Sequence, residues 1–137
     1  QQSLNNKIIY NDAKILLKHI YDLDIKQACV SASPQGLLNK KLQEVEIENF
    51  FEYIIGGDMV KRNKPYPDIY NKAIENLQTS KNIIIEDSPT GIQSGKESNS
   101  YVLAINRGMF SEEQLNQADL VVDKLSLEII NKILETL

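Results

Sequence analysis

The chain has 137 residues, few enough for one domain and enough to build a core without disulfides or metals as staples. Its net charge of −4 argues against a general nucleic-acid binder, which carries a basic surplus. A single cysteine, Cys29, makes no internal disulfide, no apolar run approaches the roughly 18 residues that cross a membrane, and the N-terminal QQSLNNK has no signal-peptide core, so the expected setting is the cytoplasm, with no membrane role.

In chain order, helical spacing comes first, at Ala13, Leu16, Leu17, Ile20 and Leu23. A strand-length run, QACVSAS (27–33), follows, and then a second helical stripe at Leu38, Leu42 and Val45. YIIGGD (53–58) is the next strand candidate, followed by helical Ile69, Tyr70, Ala73, Ile74 and Leu77. NIIIEDS (82–88) leads into a helix that starts at Pro89 or Thr90, and YVLAIN (101–106) is again a strand. Ser111 with Gln114 has the spacing of a capping box, DLVVD (119–123) is the last strand candidate, and Ser126 precedes a helix marked by Ile129, Ile130, Ile133, Leu134 and Leu137. Runs that are apolar on both faces, alternating with helices, predict an α/β fold: a Rossmann-like parallel sheet with helices on both faces.

Ligands in such sheets gather at the carboxyl ends of the strands. Those ends carry Ser31, Ala32 and Ser33, then Gly56-Gly57-Asp58 with Lys61-Arg62-Asn63-Lys64-Pro65, then Glu86-Asp87-Ser88. VSASP places hydroxyls and amides at a helix start, which suits an anion; equally, Ser33 is a plain helix cap with Pro34 at the first position. Lys64 stands before a rigid Pro-x-Pro, either as a point charge for phosphate or as part of a solvated basic turn. Glu86 and Asp87 leave a strand together, as ligands of a hard divalent metal do; Asp87 or Ser88 is alternatively a cap. Gly91 lets the following helix come close to its neighbour. His19 and Cys29 have no partner motif and read as structural.

Taken together, CVSAS, NKPYPDIY and IIIEDSPTGIQSGKES, followed by YVLAINRG and ADLVVDKLSLEII, resemble the haloacid dehalogenase superfamily, in its β-phosphoglucomutase-like and small-phosphatase branch, from about Tyr10 onward. The resemblance implies Mg²⁺-dependent phosphoryl transfer or hydrolysis on a small phosphorylated metabolite such as a sugar phosphate. It implies that Ser31, with the Ala32 amide and Ser33, binds phosphate, that Lys64 stabilises phosphate and nucleophile, and that Glu86 and Asp87 hold Mg²⁺. The chemistry it implies runs through an aspartyl-phosphate on an Asp-x-Asp motif near the chain start, with the second aspartate as acid/base.

YDLDIK, Tyr21 to Lys26, imitates that motif in letters only. Asp22 lies nine residues before Ser31, and a helical crossover between parallel strands takes about a dozen. Asp22-Leu23-Asp24 is therefore expected to end a helix and turn, so the nucleophile is none of the residues of this chain. NNKIIYNDAKILL is similar to the return from the family's cap domain. Residues 1–137 are thus expected to be the C-terminal part of the core, with the cap and the central first-motif strand absent, two interior sheet edges exposed and little activity alone. The candidate partners are a missing N-terminal segment or a second copy pairing at those edges. The rival reading is a non-catalytic phosphate-binding, metal-binding or assembly module; a receiver-like domain lacks its acidic pocket at the first strand end.

Overall fold

The computed structural model describes residues 11–137. QQSLNNK and the NNKIIY part of the supposed return from a cap lie outside the described residues.

The described chain alternates helix and strand. Helix α1 is Asn11–Asp22, strand β1 Ala28–Val30, helix α2 Gln35–Glu44 and strand β2 Tyr53–Ile55. Helix α3 is Asp68–Leu77, strand β3 Ile83–Glu86, helix α4 Pro89–Glu97 and strand β4 Tyr101–Ile105. A short helix α5, Glu112–Leu115, strand β5, Leu120–Val122, and helix α6, Leu127–Thr136, complete it. Every pairing is parallel, as expected for strands joined through helices.

The strands form two pieces rather than one sheet. β1 pairs with β2, Cys29 opposite Ile54, while β3, β4 and β5 pair in that order, Ile84 opposite Val102 and Ala104 opposite Val121. The break falls between β1, which leads into the CVSAS loop, and β3, which carries IIIE.

β4 explains why its run is apolar throughout. Val102 and Ala104 pack with Ile69, Tyr70 and Ile92 of α3 and α4 on one face, and Leu103 and Ile105 with Leu16, Ile20, Ile130 and Ile133 of α1 and α6 on the other. All four are buried, and each large side chain removed from water in this way contributes about 1.5–3 kcal/mol. A third cluster fixes α2 by Leu38 and Leu42 against Cys29 and Ile54. Burial pushes the Cys29 thiol up to about 11, so it remains a protonated packing group at neutral pH.

Local signals behave as their chemistry dictates. Ser88 caps α4 by accepting from the Gly91 amide, Pro89 sits in the first turn, Ser111 and Gln114 form a reciprocal capping box, and Ser126 caps α6. Asp22 is the last residue of α1, paired with Lys18 at 3.1 Å, and Asp24 turns the chain with a φ of 61°. YDLDIK is thus a helix end and a turn. One expectation fails: Ser33 does not cap α2. Pro34 occupies the cap position, and the Gln35 amide donates instead to Asp58 Oδ1 at 2.8 Å. No helix among the described residues is long and apolar enough to cross a membrane.

Candidate active site

The loop after β1 is shaped from two directions. Ser33 N–H donates to Ser31 Oγ at 3.1 Å, so the Ser31 hydroxyl keeps its own proton to donate elsewhere. Gly57 N–H donates to the Ser33 carbonyl at 2.8 Å, and Asn63 Nδ2 donates to the Ala32 carbonyl at 3.1 Å. A Cβ at Gly57 would run into the Ala32 carbonyl and the Asn63 amide, so Gly57 is glycine because two loops touch there. Asn63 also accepts from the Lys64 amide at 2.8 Å, tying the lysine to the serine loop.

Lys64 is the member of the basic loop that turns inward. Arg62 is committed to Asp68 at 2.8 Å and stacks 4.6 Å over Tyr66. The Lys64 side chain, 10% exposed, brings Nζ within 2.6 Å of Glu86 Oε2 and 3.4 Å of the Val30 carbonyl, and 5.1 Å above the Tyr70 ring. The ammonium therefore bridges the ends of β1 and β3.

Glu86 is buried. Its Oε2 accepts from both Lys64 and the Tyr70 hydroxyl. Burial, and then the Glu86 charge, hold the Tyr70 hydroxyl well above its usual value of 10, so it stays a donor. Gly91 lies against the same carboxylate; a Cβ there would strike Glu86 Oε1. The neighbour that Gly91 admits is thus the acid itself.

Strand alternation separates the acidic pair: Glu86 shares the inner face with Ile84, and Asp87 is exposed. Among the described residues no group of three or more His, Cys, Asp or Glu side chains is arranged to hold a metal. Mg²⁺ accepts one or two carboxylates with waters and phosphate oxygens, so the pair fits as part of a coordination shell, with Asp87 the accessible oxygen donor and Glu86 already shared with Lys64 and Tyr70. Ser31, Ala32, Ser33, Lys64, Glu86 and Asp87 all lie at the carboxyl ends of β1 and β3 or on the loop between α3 and β2. Tyr70, Asn63 and Asp58, which hold that arrangement, carried no role in the sequence reading. Tyr70 was legible only as part of an apolar stripe.

The model of the haloacid dehalogenase-like hydrolase family matches residues 2–105, and the chain belongs to that family. It is 27% identical over 124 residues to a phosphorylated carbohydrates phosphatase of Thermotoga maritima, covering 88% of this chain and 57% of that protein. It is 28% identical over 121 residues to hexitol phosphatase A of Escherichia coli, covering 85% and 54%. The crystal structure of β-phosphoglucomutase from Clostridium difficile superposes with a TM-score of 0.80 at 27% identity, over 93% of this chain and 56% of that one. The chain therefore spans a little over half the length of these relatives, which are phosphatases and a phosphoglucomutase.

Proposed function

We propose that residues 1–137 are the phosphate-gripping, C-terminal part of the core of a Mg²⁺-dependent enzyme that transfers or hydrolyses the phosphoryl group of a small phosphorylated metabolite. The observation that carries this reading is the position of Lys64, whose ammonium stands between the Val30 carbonyl and Glu86 beside the Ser31 loop. In this reading the Ser31 hydroxyl and the Ala32 amide hydrogen-bond phosphoryl oxygens, with Ser33 beside them, and Lys64 offsets their negative charge. Glu86 and Tyr70 keep the lysine in place. Asp87, with Glu86, would hold Mg²⁺, which when bound neutralises phosphoryl charge. The nucleophilic aspartate belongs to a part of the protein outside these residues, so the chain alone has little or no turnover.

Isothermal titration with Mg²⁺ and inorganic phosphate tests this. The expected result is phosphate binding that Lys64→Ala abolishes and Mg²⁺ binding that Asp87→Ala abolishes. Binding unchanged in both variants would sink the reading. A second reading, a phosphate-binding module without catalysis, is favoured by the incomplete set of metal-binding side chains among the described residues. It predicts phosphate binding that is indifferent to Mg²⁺.

A further inference from the structure

Ser94 lies in the middle of α4 and is 0% exposed. A helical serine commonly returns its hydroxyl proton to the carbonyl four residues back, here that of Thr90. Ser94 Oγ donates instead to the Tyr66 carbonyl at 2.6 Å, across 28 residues of chain. A buried hydroxyl committed to a distant segment joins the two elements at a fixed distance.

Tyr66 belongs to the turn that carries Lys64. Pro65 and Pro67 flank it, and their rings fix φ on both sides, so the segment is stiff. The Tyr66 amide donates to the Asn63 carbonyl at 3.1 Å. Arg62, held by Asp68 at 2.8 Å, covers the Tyr66 ring. Residues 62–68 are therefore one braced unit, and a displacement at Tyr66 is passed on to Lys64 rather than absorbed between them.

That unit is fastened at two points. Ahead of the lysine, the Asn63 amide reaches the Ala32 carbonyl. Behind it stands Ser94. Gly91 and Ser94 are three residues apart, so they share one face of α4. At Gly91 this face backs the Glu86 carboxylate, and at Ser94 it holds the turn that brings the Lys64 ammonium to that carboxylate at 2.6 Å. Gly95 sets the helix close on the sheet, where an added Cβ would come within 2.9 Å of the Val102 side chain.

We propose that Ser94 is a positioning residue for the phosphoryl site: by holding the Tyr66 carbonyl it sets where the Lys64 ammonium stands relative to Glu86 and the Ser31 loop. The inference rests on the phosphate-binding role proposed for Lys64. Ser94 touches no reacting atom. It acts through the proline-braced turn, which loses its tie to α4 when the hydroxyl is removed.

The test compares Ser94→Ala with Ser98→Ala in the full 137-residue chain. Ser98 Oγ donates to the Gly95 carbonyl at 2.6 Å at the end of the same helix, so its loss weakens α4 without touching the Lys64 turn. The first readout is exchange of the Lys64 ammonium protons with water, followed by NMR on chain carrying ¹⁵N-lysine, with the signal identified by its absence in Lys64→Arg. The second is the affinity for inorganic phosphate. Ser94→Ala is expected to speed the exchange and to weaken phosphate binding, each by about three- to tenfold, the worth of one hydrogen bond. Ser98→Ala is expected to change neither. Ser94→Cys, which fills the site with a weaker donor, is expected to fall between parent and Ser94→Ala, and it carries the test if Ser94→Ala does not fold. Ammonium exchange in the Ser94 variants equal to that of the parent would overturn the proposal, as would an equal effect of Ser98→Ala. Phosphate binding that Lys64→Ala abolishes but Ser94→Ala leaves intact would keep the proposed function and overturn this inference. A parent that binds no phosphate would sink the proposed function, and the ammonium exchange alone then decides whether Ser94 places Lys64.

Discussion

Lys64 and Glu86 are 22 residues apart in the chain, and their side chains meet at 2.6 Å, 10% and 8% exposed. The contact joins the loop before α3 to the end of β3 and, through the Val30 carbonyl, to the end of β1. A pair this buried is costly to halve, because the surviving charge has no water to turn to. Lys64→Ala is expected to destabilise the fold by about 3–5 kcal/mol, read from urea unfolding. Replacing both partners together, Lys64→Met with Glu86→Leu, should recover a large part of that loss. A single variant as stable as the parent would mean that the pair is solvated in solution.

Tyr70 supplies the second hydrogen bond to Glu86 and gives a pH signature. Burial and the neighbouring carboxylate raise its pKa above the ordinary 10. The folded state thus holds the protonated form more tightly than the unfolded state does. The resulting stability is fully present below about pH 10 and is lost as the pH climbs through the raised value. Tyr70→Phe is expected to cost about 1.5–3 kcal/mol at neutral pH, the worth of a hydrogen bond to a charged group. Its deficit should narrow above pH 10. Parallel unfolding curves for parent and variant from pH 8 to 11 would contradict the assignment.

Gly91 and Gly36 make a matched pair. Both are helical, in α4 and α2, and alanine is the better helix former by about 1 kcal/mol. Around Gly36 nothing lies within 4 Å of an added Cβ, whereas at Gly91 it would strike the Glu86 carboxylate. Gly36→Ala should therefore stabilise by about 0.5–1 kcal/mol, and Gly91→Ala should destabilise by about 1–3 kcal/mol through overpacking. The two midpoints of denaturation should move in opposite directions. A stabilising Gly91→Ala would mean that Glu86 has room to retreat, and with it Lys64.

The frame of this fold was legible because its strands are buried on both faces and its helices carry clear stripes and caps: YVLAI, the Ser111–Gln114 box and Ser126 each appear where the chain predicts them. YDLDIK was legible through spacing rather than letters. The inward turn of Glu86 was available from the alternation with Ile84, since side chains two apart on a strand share a face. The Asp58 cap on Gln35 joins residues 23 apart, and no local pattern announces a cap borrowed from another loop. The same holds for Asn63, whose bond to Ala32 spans 31 residues.

Asp12 and Arg107 are the extreme case, paired at 2.8 Å across 95 residues with side chains 8% and 12% exposed. Asp12 Oδ2 also accepts from the Leu125 amide at 2.8 Å, so one carboxylate fastens the start of α1 to the loops that follow β4 and β5. The Arg107 hydrogen bonds hold the Asp12 pKa below its ordinary 3.8, outweighing burial, which acts to raise it, with further help from the Leu125 amide. A depressed pKa contributes stability that is present above about pH 4 and is lost as the pH falls through the native value. Asp12→Asn is expected to cost about 1.5–3 kcal/mol at pH 7, the range for hydrogen bonds to a charged group. The gap between parent and variant should shrink below pH 4, because the parent carboxylate then takes up a proton and loses the same interaction. Urea unfolding at pH 7 and pH 3 measures it. A gap that persists undiminished at pH 3 would mean that the Asp12 contacts act by shape rather than by charge.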